Sequence, residues 1–305
     1  MDFRHIEAFI YVYRLRNFSR AGDALYLTQP TVSSHINCLE SKLRVKLFDR
    51  SSKEVTPTEA ACIFYQYAVN LLETRDSAIF SLNQNNEKIE GRLEIAASTI
   101  PSQYLLPPIL NDFRHLYPHI FFILHQYSTR EVIRELQDKK YQIGIVGAKI
   151  DEKNLEYECL TSDKLVLICA SNNTKFLKTN IVSLNSLKDC QFILREPGSG
   201  TRREFEAVLN KRGISPNRLK VVAEMNSNEA IKVAVREGLG VSVVSSLSVK
   251  DYVDSGNIQA LSIEGLDLER AFYLVTHRNR PLSPSVTAFR EYILEYYKTR
   301  KVVQP

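Results

Sequence analysis

"LTQPTVSSHINCLESKLRVKLFDR", Leu27 to Arg50, decides how the N-terminal part of this chain is read. Small polar residues fill Thr28 to Ser34, and apolar ones follow at Ile36, Leu39, Leu43, Leu47 and Phe48. Thr28 is placed to cap a helix. Pro30 is tolerated in its first turn, where a missing N–H has no intrahelical partner. Val32, Ile36, Leu39 and Leu43 recur at helical spacing and give the helix one inward face. Its polar start therefore meets something other than the protein's own core.

Working outward, Phe3, Ile6, Phe9, Ile10 and Tyr13 predict a helix from about Asp2 to Leu15. Ser19 is expected to cap a short helix, "RAGDALY", with Ala21, Ala24 and Leu25 inward. Leu27 and Thr28 make the turn. Helix, short helix, tight turn and helix is the helix-turn-helix arrangement, in which the start of the last helix enters the major groove. Gln29, Pro30, Thr31, Ser33, Ser34 and His35 then face DNA. Glutamine can pair bidentately with adenine, and Ser and Thr can meet base edges or phosphates. On spacing alone, a plain three-helix bundle with polar caps fits equally well. "FDRSSKEVTPTEA" follows and reads as a two-stranded wing, with Arg50 and Lys53 set for phosphate contacts. An ordinary charged loop is the alternative.

"TEAACIFYQYAVNLLETRDSAIFSLNQNN" holds no Gly or Pro and predicts one long helix capped by Thr58. Phe64, Ala68, Leu71, Leu72, Ile79 and Leu82 form its apolar positions. A helix of some thirty residues outside a domain needs a partner along its length, so dimerisation is expected. Packing against the chain's own C-terminal domain is the other reading. "NQNNEKIEG" is then a polar hinge ending at Gly91.

From Gly91 the pattern changes to short strands alternating with helices, which predicts parallel α/β architecture. "GRLEIAAS", "IFFILHQYS" and "QIGIVG" are the first strands, and a second unit begins near Lys164 with "LVLICAS". The closing helix is "SPSVTAFREYILEYYK", with Ser285 as its expected cap. Two α/β units follow, and resemblance to a two-lobed binding fold implies lobes at residues 91–161 plus 268–300 and residues 162–267. Ligands in such folds sit beyond the carboxyl ends of strands. Ser98 and Thr99 end one strand and open a helix. Ser199, Gly200 and Thr201, in "REPGSGTRR", do the same in the second lobe. Helix N-termini favour anions there. Arg195 adds charge, and Gly147 leaves backbone open to a ligand. Each stretch taken alone is equally a strand-to-helix turn that uses Ser, Thr and Gly for capping.

The opening "FRHIEAF", the core "A..L..TQP.VS..I..LE..L...LF.R" and the exit "TPTEA" resemble the DNA-binding domain of LysR-type transcriptional regulators. Two positions depart from that family, Arg44 and Ala61, where glycine is usual or frequent. The resemblance implies an N-terminal winged helix-turn-helix at residues 1–57, a linker and dimerisation helix at 58–90, and a periplasmic-binding-protein-like two-lobed effector domain at 91–300. It also implies an operator DNA partner, a homodimer or homotetramer, and RNA polymerase as a further partner if the protein activates. "REPGSGTR" with "NEAIKVAVREGLGVSVVS" is similar to a sulfur-metabolism branch of the family, which implies sulfite or sulfate as effector.

Bulk properties agree with this reading and narrow the rest. The 305 residues are 44% hydrophobic and 25% charged, with a net charge of +5, which is globular and only mildly basic. No apolar run reaches membrane length, and the N-terminus lacks an export signal, so a cytoplasmic location is expected. Five scattered cysteines read as reduced thiols. His115 and His119 are four apart, but Pro118 interrupts the turn, so no metal is expected. No Walker loop, no G-x-S-x-G elbow and no recognisable Ser, His and carboxylate set is present, so neither catalysis nor a cofactor is expected. A ligand-independent DNA-binding regulator and a cytosolic small-molecule-binding protein remain the rival functions.

Overall fold

The computed structural model describes residues 2–49, 55–82, 89–173, 175–176 and 179–301. They fall into two units, 1–87 with 280–284 and 88–279 with 285–305.

In the first unit, Asp2 caps α1 (Phe3–Leu15) by accepting from the Arg4 N–H. The cap of α2 (Phe18–Leu25) is Asn17, not Ser19. Asn17 is extended and its side-chain oxygen accepts from Arg20 N at 3.0 Å, whereas Ser19 already lies within the first helical turn. Thr28 caps α3 (Gln29–Leu43), accepting from Thr31 N at 3.4 Å. Arg16, Tyr26 and Arg44 end the three helices with φ of 51°, 56° and 56°. Each left-handed side-chain-bearing residue costs on the order of 1 kcal/mol. The departure from glycine at Arg44 thus leaves the cap geometry in place.

β1 (Phe48–Asp49) pairs antiparallel with β2 (Thr56–Pro57), which gives the expected two-stranded wing. Arg50 and Lys53 lie outside the described residues. Thr58 accepts from Ala61 N and starts α4 (Glu59–Leu82). The single apolar stripe expected on α4 divides in two. Ala61, Tyr65, Ala68 and Val69 are buried with Ile6, Phe9, Val32, Ile36 and Leu39, and Phe64 and Leu72 pack against them. Phe9 sits at the centre, with the rings of Phe64, Phe48 and Tyr13 at 5.0, 5.6 and 5.9 Å. The first half of the helix is therefore core for this unit rather than a free linker.

The second unit runs β3 (Gly91–Ser98), a π-helical turn, α5 (Leu106–Leu116), β4 (Ile120–Tyr127), α6 (Thr129–Gln137), β5 (Ile143–Val146) and β6 (Leu155–Ala170). It continues with β7 (Ile181–Val182), β8 (Gln191–Arg195), α7 (Gly200–Lys211), β9 (Lys220–Met225), α8 (Asn228–Arg236) and β10 (Ser242–Ser245). α9 (Lys250–Asp254), β11 (Ile258–Ile263), β12 (Glu269–His277) and α10 (Pro284–Lys301) complete it. β3 is parallel to β4 and β5, and β8 to β9, as the strand–helix alternation predicts.

The parallel expectation fails at β6 and β12, which run antiparallel to each other and to their neighbours. β6 spans both lobes. Residues 155–164 pair with β12, and 165–170 pair with β10 and β11. In sequence the strand reads as "LVLICAS", from Leu165 onward. Asp163 nevertheless stays inside the strand, buried and paired with Arg270 at 2.8 Å. α10 begins at Pro284, whose fixed φ suits a first helical position. Ser285 is therefore inside the helix and not its cap; its hydroxyl donates to the Arg92 carbonyl at 3.1 Å.

Candidate DNA surface and inter-lobe cleft

On α3, Val32, Ile36 and Leu39 are fully buried, while Gln29, Pro30 and Ser34 are exposed and Thr31 and Ser33 half-buried. The helix thus presents the polar face that a groove-reading helix needs. Thr31 is drawn back by its hydroxyl, 2.8 Å from that of Thr28. His35 is half-buried, its ring 5.1 Å from that of His5 on α1. Burial and the neighbouring His35 hold the His5 imidazole below its ordinary pKa. Sequence reading overlooked Glu40. It is buried, and its carboxylate accepts from Leu47 N at 2.8 Å, Phe48 N at 3.2 Å and Lys46 Nζ at 3.0 Å. Burial opposes the charge, but these three donors hold the carboxyl below its usual value. Glu40 thereby ties the end of the recognition helix to the wing.

In the second unit, three strand-to-helix turns line one narrow cleft, whose enclosed volume of about 10 Å³ is that of a single water. Ser98 and Thr99 come from the end of β3, Ser128 and Thr129 from the end of β4, and Arg195, Glu196, Ser199, Gly200 and Thr201 from the β8–α7 turn. Arg270 of β12 adds a further wall. The structure thus brings together every effector candidate except Gly147. A Cβ at Gly147 would lie 3.1 Å from Arg270 Nη1 and 3.2 Å from the Phe272 ring, so this glycine makes room for the Arg270 guanidinium that lines the cleft. Gly200 is also needed sterically, since a Cβ there would come within 2.9 Å of Thr129 Oγ1.

Hydroxyl direction gives the cavity its chemistry. Arg195 Nη2 donates to Thr99 Oγ1 at 3.4 Å, and Arg270 Nη1 donates to Thr201 Oγ1 at 3.0 Å. A hydroxyl that accepts from arginine keeps its own proton free to donate to another acceptor. Thr129 Oγ1 is buried with no hydrogen-bond partner, and Ser199 makes no side-chain cap bond. Both guanidinium charges are already matched: Arg195 pairs with Glu196 at 2.9 Å, and Arg270 with Asp163, which also accepts from Ser245 Oγ at 2.8 Å. Burial pushes the Asp163 carboxyl up and the Arg270 guanidinium down, each opposed by the other's charge. The cavity therefore offers donors with little net charge, an arrangement that selects a compact group rich in acceptors.

Ser128, Thr129, Glu196 and Arg270 were not singled out from sequence. "STRE" carries a signal for the first two, since Ser128 and Glu131 form a reciprocal capping box after a strand. Arg270 carries none, because only the lobe crossing brings β12 here. Among the described residues there is no cluster of three metal-ligating side chains and no helix long and apolar enough to cross a membrane.

Residues 3–62 match the bacterial regulatory helix-turn-helix protein family, lysR type, and residues 86–298 match the LysR substrate binding domain. An uncharacterised HTH-type transcriptional regulator of Methanocaldococcus jannaschii is 35% identical, covering 95% of this chain and 97% of that protein. A probable RuBisCO transcriptional regulator of Cyanophora paradoxa is 31% identical over 92% of this chain and 87% of its own length. CysL of Bacillus subtilis, also an HTH-type transcriptional regulator, is 31% identical over 87% of each chain. A full-length OxyR variant from Pseudomonas aeruginosa shares the fold, with a TM-score of 0.78 at 18% identity over 96% of this chain and 94% of that one. The regulatory domain of Synechocystis CcmR, solved in complex with 2-PG, has a TM-score of 0.62 at 28% identity over 68% of this chain and 98% of that one. The matched family consists of regulators and not enzymes, and its two domains together account for nearly the whole length. This chain belongs to the LysR family of DNA-binding transcriptional regulators, with an N-terminal helix-turn-helix and a C-terminal effector-binding domain.

Proposed function

We propose that this regulator senses a small oxyanion, such as sulfite or sulfate, in the cleft between the Ser98–Thr99 and Ser199–Thr201 turns. The observation that carries the reading is the pair of cross-lobe bonds, Arg195 to Thr99 and Arg270 to Thr201. They leave two hydroxyl protons, one from each lobe, free to donate in a cavity without large apolar walls. CysL and the RuBisCO regulator match at the same 31% identity, so likeness alone does not favour the sulfur branch. The Synechocystis regulatory domain was solved in complex with 2-PG, which supports a small-molecule effector in this domain and not its identity. Gln29, Ser33 and Ser34 read or position operator DNA, and the exposed row Ile63, Tyr67, Leu71 and Ile79 on α4 joins two copies of the chain. A cytoplasmic location goes with this role.

Thermal unfolding with sulfite, sulfate and phosphate tests the effector class. A ligand that binds only the folded state raises the melting temperature with concentration. A rise with sulfite or sulfate supports the reading. No rise with any of the three rejects it in favour of a regulator that needs no such ligand.

A further inference from the structure

Glu196 lines the cavity beside the donors, which is unexpected for a site that takes an anion. Its carboxylate grips Arg195 with both oxygens: Nε donates to Oε2 and Nη2 to Oε1, each at 2.9 Å. This bidentate geometry is the one a guanidinium offers to a carboxylate or another oxyanion. Glu196 thus stands where a ligand's oxygens would stand if they took Arg195 directly.

The two partners differ in freedom. The Arg195 side chain is 3% exposed and the Glu196 side chain 24%. Arg195 is held from other directions, since Nη1 donates to Asn228 Oδ1 and its backbone carbonyl accepts from Arg202 Nη1 at 2.8 Å. The Glu196 carboxylate bonds to Arg195, and the residue sits on the turn between β8 and α7, so the carboxylate can leave for solvent while the guanidinium stays. Exchange of one carboxylate for one arriving anion leaves no buried charge uncompensated, which avoids the cost of breaking such a pair outright.

Building on the anion reading of this cleft, we propose that Glu196 is a built-in competitor for Arg195. The effector binds by displacing the Glu196 carboxylate, so Glu196 sets the threshold concentration at which the cleft fills. The class of ligand that can do this is a compact, deprotonated oxyanion with two oxygens spaced for Nε and Nη2 and a further acceptor for the Thr99 and Thr201 hydroxyls.

Calorimetric titration of the full chain with sodium sulfite and sodium sulfate, at constant ionic strength, tests it on wild type and Glu196→Gln. Glutamine keeps the shape and removes the competing charge. The expected result is tighter anion binding in Glu196→Gln by up to about fivefold, the scale of one partly exposed ion pair. Binding detected only in the variant also supports the proposal. Equal or weaker binding in a folded Glu196→Gln protein, with wild type binding, overturns the competitor and leaves the cleft reading standing. No binding by either protein overturns both. Glu204→Gln is the control for simple repulsion, since Glu204 acts on Arg270 through space and does not pair with Arg195. If it tightens binding as much as Glu196→Gln does, displacement from Arg195 is not the cause and the proposal falls.

Discussion

Arg270 Nη1, on β12, donates to the hydroxyl of Thr201 at the start of α7, joining one lobe of the effector domain to the other at 3.0 Å. The same guanidinium is anchored by Asp163, 2.8 Å away on the strand that crosses between the lobes. Asp163 is fully buried and Arg270 nearly so. Removing one partner leaves the other as an uncompensated buried charge. Asp163→Asn is therefore expected to lower stability by about 3–5 kcal/mol. Urea unfolding followed by circular dichroism measures it, and a loss under about 1 kcal/mol would mean that water or another side chain replaces the carboxylate.

Glu40 gives a pH-dependent prediction. Its folded-state carboxyl titrates below the ordinary 4.5, because backbone and Lys46 donors outweigh the effect of burial. The unfolded chain thus binds the proton first as pH falls. Glu40's contribution is complete above about pH 4.5 and is lost as pH drops through the lower folded-state value. Glu40→Ala leaves two buried N–H groups without acceptors and is expected to cost about 1–3 kcal/mol at neutral pH. Melting curves of both proteins between pH 7 and pH 3 check this. The gap should narrow on acidification, and a constant gap would show that the carboxylate's charge contributes nothing.

At the reading surface, Gln29 is exposed while Val32 and Ile36 behind it are buried. Gln29→Ala is expected to keep the fold and weaken operator binding by roughly 1–3 kcal/mol through loss of a bidentate base contact. Fluorescence anisotropy with an operator duplex reads the change, and unaltered affinity would move base recognition to other side chains of α3.

How much was legible in sequence differs between the two units. The helix-turn-helix could be read closely because local rules carry it: caps at Thr28 and Thr58, a buried row at Val32, Ile36 and Leu39, and a short wing. Ser19 and Ser285 misled because a hydroxyl near a helix start resembles a cap whether or not its backbone is extended. In the effector domain the turns with Ser98–Thr99 and Ser199–Thr201 could be seen one by one. Their meeting could not be derived from spacing, since β6 and β12 decide it over a separation of about a hundred residues. Arg270 was invisible for the same reason. At Gly147 a glycine at a strand end says that space is needed, but not that Arg270 and Phe272 are the neighbours that need it.

The division of α4 changes which residues bear on assembly. Leu72 packs on the N-terminal core, whereas Ile63, Tyr67 and Leu71 are 60%, 64% and 39% exposed at four-residue spacing. Tyr67→Glu with Leu71→Glu is expected to convert a dimer to monomer without unfolding the N-terminal unit. Sedimentation velocity reports the mass. A folded double variant that retains the wild-type mass would place the dimer contact elsewhere.

On the proposed reading, Thr99 and Thr201, one on each lobe, donate together to one anion. Calorimetric titration of sulfite into wild type and into a Thr99→Val, Thr201→Val double variant tests it most directly. Valine keeps the shape of threonine and removes the donor, so two charge-assisted hydrogen bonds, each about 1.5–3 kcal/mol, are at stake. Saturable one-to-one binding by wild type and at least a hundredfold loss in the folded double variant are expected. Equal affinity in both proteins would contradict it.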